Sequence, residues 1–131
     1  MKTNRLLALA LSACALSSPA AADEDDHPEL AGAVKAFHDV LSPDWHAPAG
    51  PARNAAACGH VGQYVSQARA IAGQDTPTRA GAKAWASAAA GLRDASVALG
   101  AYCASNHDGN IVAGFTTLHD RFHDLMKAMP K

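Results

Sequence analysis

The stretch TRAGAKAWASAAAGLRDASVALGAYCAS, Thr78 to Ser105, decides the fold. Alanine is its commonest residue, and no β-branched run interrupts it, a composition that favours helix over strand. Trp85, Ala89, Leu92, Ser96, Leu99 and Cys103 recur at alternating spacings of four and three residues. That periodicity lays one buried stripe along a long helix.

Outward from it, GQDTP (Gly73 to Pro77) and NHDGN (Asn106 to Asn110) carry the turn residues that end helices. Beyond the second turn, Ile111, Phe115, Leu118, Phe122, Leu125 and Met129 predict a last helix over about Ile111 to Met129. Before the first turn, Ala52 to Ala72 reads as one helix with Cys58, Val61, Val65, Ala68 and Ala72 on its inner face. A first helix runs from Pro28, a residue suited to a first turn, to Leu41, with Leu30, Val34, Phe37 and Leu41 in line. Pro43 stops or bends it. Ser42, Pro43 and Asp44 are expected to cap a short turn carrying Trp45 and His46, followed by the connection APAGPA. Four amphipathic helices on short loops predict an all-α, up-down-up-down four-helix bundle without repeats or a second domain.

The opening 22 residues read as an export signal. Lys2 and Arg5 precede the apolar run LLALALSACAL, and SSPAAA ends in small residues that suit cleavage after Ala22. The run is shorter than the roughly 20 residues of a membrane span, and no later segment is long enough either. LSAC (Leu11 to Cys14) also resembles a lipobox, so an alternative is a lipoprotein anchored through Cys14. Residues 23–131 then form one domain, periplasmic or secreted. Lys2 and Arg5 leave with the signal, so nine basic residues face twelve acidic ones, four of them bunched in DEDD (Asp23 to Asp26). That balance argues against nucleic acid or an anionic membrane as partner.

Cys58 and Cys103 remain after cleavage. An even count in an oxidising compartment favours a disulfide over two metal thiolates. Both cysteines are expected near the same end of the bundle on neighbouring helices, within the reach of about 7 Å that a bridge requires.

Histidine carries the functional signal. LHDRFHDLM (Leu118 to Met126) places His119 and His123 four residues apart on one edge of the last helix. Imidazoles at that spacing have Cβ atoms about 5–6 Å apart and can share one cation. The first helix is the expected antiparallel neighbour, and His38 on its rim is the third candidate ligand, with His46 as a fourth. The aspartates that follow the histidines point about 100° away and are expected in solvent. His60, His107 and His27 are read as ordinary polar residues. HDRFH lacks the glutamate of a zinc protease motif, CxxCH is absent, and no phosphate-binding loop or nucleophile elbow occurs, so no enzyme is expected.

With its helices so placed, the chain resembles in architecture the small exported bundles of the cytochrome b562 and cytochrome c′ type. The resemblance implies a histidine of the last helix, His119 or His123, at the position those families use for haem. The chain departs from them in lacking the attachment motif and in having no early methionine, its methionines being Met1, Met126 and Met129. FHDVLSPDWH (Phe37 to His46) is also similar to the first-helix motif of small exported bundle proteins. The leading expectation is a metal-binding buffer, chaperone or sensor for a divalent transition metal such as zinc, copper or nickel. A metal-free module that docks another envelope protein through exposed apolar residues around Trp45 and Tyr64 is the alternative. A histidine-ligated haem protein ranks third.

Overall fold

The computed structural model describes residue 30, residues 32–77 and residues 79–130. The export segment, Cys14, the acidic run, His27, Pro28 and Thr78 lie outside the described residues. The described chain is all-α, with α1 (Gly32–His46), α2 (Pro51–Gly59), α3 (Val61–Gly73), α4 (Ala82–Ser105) and α5 (Asp108–Ala128). None of these helices is long and apolar enough to cross a membrane.

Five helices replace the expected four because the second segment breaks at His60. There the backbone turns through φ −96° and ψ −1°, and the His60 amide still bonds to the Ala56 carbonyl at 3.0 Å. Gly59 and Gly62 flank the break and weaken the helix locally. The inner face of α3 also differs from the expected stripe. Tyr64, Ala68 and Ile71 are fully buried, Val65 is half-buried and Ala72 is exposed. In a segment of small residues, the largest ring determines which face turns inward.

The other stripes are buried along most of their length, with Leu30, Cys103 and Met129 half-buried at their ends. Val34, Phe37 and Leu41 of α1, Trp85, Ala89, Leu92, Ser96 and Leu99 of α4, and Ile111, Phe115, Leu118, Phe122 and Leu125 of α5 form the core. Ser96 lies in it without an orphaned hydroxyl, because it donates to the Leu92 carbonyl at 2.9 Å. Helix α4 packs on α3 and α5, α1 on α3, and α2 on α5. Gly114 permits the close approach of α5 to α4, since a Cβ there would stand 2.5 Å from Cδ2 of Tyr102.

Cys58 and Cys103 are joined, with Cα atoms 5.5 Å apart. The bridge ties the end of α2 to the end of α4 and closes a loop spanning 45 residues. By loop entropy it stabilises the fold by about 4 kcal/mol.

Helix α1 does not stop at Pro43. It continues to His46, so Asp44 caps no new turn and is instead a buried member of the helix, 6% exposed. Proline removes one helical donor, but the Pro43 carbonyl still accepts from the Ala47 amide at 3.2 Å. The last turn is held from the side. The Tyr64 hydroxyl donates to Asp44 Oδ2 at 2.5 Å, and His60 Nδ1 lies 2.7 Å from the same oxygen.

Candidate functional site

Because α1 runs unbroken past Pro43, His38, Ser42 and Trp45 fall at i, i+4 and i+7 and share a face, with His46 at its edge. That face meets α5 in antiparallel fashion. Phe37 stacks on Phe122 with ring centroids 5.5 Å apart, and Trp45 meets Phe115 edge-on at 5.4 Å. Between the two helices lies a hollow of about 60 Å³, lined by His38, Leu41, Ser42, Trp45, His46, His119, Phe122 and His123. The four histidines named from the sequence thus border one space.

Within it the pair on α5 is the most closely drawn. The Nε2 atoms of His119 and His123 are 3.1 Å apart, with their ring planes crossed at 71°. At metal–nitrogen distances of about 2.0–2.1 Å, that separation subtends about 100° at an ion, between square and tetrahedral values. His38 packs against Phe122 at 5.8 Å between ring centroids. Among the described residues, no three His, Cys, Asp or Glu side chains are placed to hold one metal ion together. The structure brings His38 and His46 to the hollow without completing a three-ligand set.

Two features were not evident in the sequence. Trp45 lies flat against His119, with centroids 3.8 Å apart and planes within 8°. The Arg53 guanidinium of α2 sits 4.3 Å from the Trp45 ring centre, within cation–π range. Trp45 is therefore committed to the site rather than to a free docking face. Tyr64 is buried too, against Phe37 and Phe115, which removes the other residue expected on such a face. The sequence clue was the seven-residue spacing from His38 to Trp45, masked by the expectation of a break at Pro43.

Electrostatics favour neutral imidazole here. Burial lowers the pKa of His119, the neighbouring charges of His123 and His46 lower it further, and Asp120 opposes them. A neutral imidazole keeps a lone pair available for coordination, which its protonated form lacks. The hollow has room for an ion and about one water, whose share of liquid volume is about 30 Å³. Set beside protein-family models, curated proteins and solved structures, the chain matches none of them.

Proposed function

We propose that this protein is an exported binder of a divalent transition metal, anchored by His119 and His123 and completed by His38 and His46 from α1. The observation that carries the reading is the meeting of four imidazoles around one small hollow, two of them with Nε2 atoms 3.1 Å apart. Imidazole donors suit zinc, copper and nickel. Because His119 and His123 form a close pair without a third ligand beside them, His38 or His46 would rotate inward to complete a set around an ion. Such a site suits a buffer, chaperone or sensor, from which the ion leaves again.

Export is supported by the Cys58–Cys103 bridge, which suits an oxidising compartment. Haem is the less favoured ligand, since the hollow between α1 and α5, about 60 Å³, is much smaller than a porphyrin.

The test is calorimetric titration of the metal-free, untagged protein with Zn²⁺ and Cu²⁺. Micromolar or tighter binding by the wild type is expected, abolished in His119→Ala/His123→Ala and weakened in His38→Ala and His46→Ala. Equal, weak binding by the wild type and the double variant would remove the proposal and leave the metal-free interaction module as the better reading.

A further inference from the structure

We infer that Trp45 is a positioning residue of the metal site: its indole, held from α2 by Arg53, fixes the plane of the His119 imidazole and thereby the line along which Nε2 offers its electron pair. This rests on the metal-binding reading, but its first consequence is measurable in the metal-free protein.

Nothing within a histidine side chain fixes its ring plane. The torsion between Cβ and the ring joins an sp³ to an sp² carbon, so its energy wells are broad and roughly two-fold. For His119 the plane is set from outside. The Trp45 ring lies 3.8 Å from it, centre to centre, with the planes within 8°. Turning the imidazole out of that plane would drive its edge into the indole, closer than the contact separation of about 3.5–4.0 Å. The indole is itself confined. It meets buried Phe115, one turn before His119 on α5, edge-to-face at 5.4 Å, and the Arg53 guanidinium stands 4.3 Å from its centre. Three helices thus hold one ring: α1 carries it, α5 supports it and α2 covers it.

The plane matters because a ring nitrogen's electron pair lies in it, so an ion on Nε2 lies in it too. With a metal–nitrogen distance of about 2.0–2.1 Å, the stack puts such an ion about 4–6 Å from the indole centre. That is close enough for bound Cu²⁺ to quench indole emission. Ordering a side chain at the moment of binding costs about 2–10-fold in affinity. The stack orders His119 before the ion arrives.

The metal-free protein is read through the carbon-bound ring protons of His119, which a facing indole shifts upfield in the NMR spectrum. The upfield shift is expected in the wild type, retained in part in Trp45→Phe, whose smaller ring keeps a flat face, and lost in Trp45→Leu. Arg53→Gln should reduce it. For Zn²⁺ titrated into the same proteins, Trp45→Leu should weaken affinity by about 2–10-fold, and Trp45→Phe by less. In a Trp85→Phe background Trp45 is the only tryptophan, and Cu²⁺ should quench its emission in step with calorimetric binding. Ring-proton shifts alike in the wild type and Trp45→Leu overturn the inference, as do shifts unchanged by Arg53→Gln where the leucine variant does not fold. Unchanged Zn²⁺ affinity in a folded Trp45→Leu, or Cu²⁺ bound without quenching, overturns it equally. If the ring protons behave as expected but Zn²⁺ binds to neither wild type nor variants, the metal reading fails while the hold of Trp45 on His119 stands.

Discussion

Replacing Asp44 by alanine tests the side-on clasp that carries α1 past Pro43 and sets Trp45 against His119. In the native fold Asp44 Oδ2 takes the Tyr64 hydroxyl at 2.5 Å and His60 Nδ1 at 2.7 Å. A hydrogen bond to a charged group is worth about 1.5–3 kcal/mol net. The two donors differ in what they lose. The His60 side chain is 42% exposed and regains water, so its share of the loss is small. Tyr64 is fully buried, and its orphaned hydroxyl costs about 1–3 kcal/mol in addition to the lost bond. Against this, alanine relieves the burial of a carboxylate. The net expectation is a loss of about 2–4 kcal/mol. At about 4–8 °C per kcal/mol for a domain near this size, Tm falls by about 10–25 °C.

The assay is urea unfolding followed by far-UV circular dichroism with the disulfide intact, for wild type, Asp44→Ala, Tyr64→Phe and the double variant. Tyr64→Phe removes the hydroxyl that Asp44→Ala strands, so the two losses should fail to add by about 1.5 kcal/mol or more. Additivity within about 0.5 kcal/mol would refute the reasoning. So would an Asp44→Ala variant as stable as the wild type.

At the α4–α5 contact, Gly114→Ala places a Cβ 2.5 Å from Tyr102 Cδ2 and should cost about 1–2 kcal/mol by overpacking. In a Tyr102→Ala background the same change should stabilise by up to about 1 kcal/mol through helix propensity, and a cost that persists there would refute the steric account. The lowered pKa of His119, caused first by burial and then by the His123 charge, makes the unfolded chain the better proton acceptor at this residue. Its contribution to stability is therefore complete above the unfolded value of about 6.5 and is lost as pH falls through the lower folded value. Relative to His119→Gln, the wild type should lose stability between pH 7.5 and 5.5 in chemical denaturation, and a gain in acid would contradict the assignment.

Much of the helical framework was legible in the residues alone. Apolar spacing is a local property, and where the stripe residues are large, as in Phe37, Leu92, Phe115 and Phe122, one face outweighs the other. The same argument brought His119 and His123 to one edge and paired Cys58 with Cys103 across adjoining helices. It failed between Ala52 and Ala72, where alanine and glycine line several faces and hydrophobic content does not choose among them.

Tertiary packing settled that segment and α1 together. Asp44 and Tyr64 stand 20 residues apart, so no local pattern records that a carboxylate expected at a turn accepts from a hydroxyl expected on the surface. Burying the Tyr64 ring against Phe37 and Phe115 orients α3, and the chain breaks at His60. The clasp on Asp44 holds the turn after Pro43 helical, which brings Trp45 onto His119. Sequence alone determined the all-α class, the first and the last two helices, and the histidines at the edges of the first and last, because these follow from periodicity along one chain. Only the folded molecule decided how far α1 extends and what its last turn touches, because those depend on hydrogen bonds and ring contacts between segments distant in sequence.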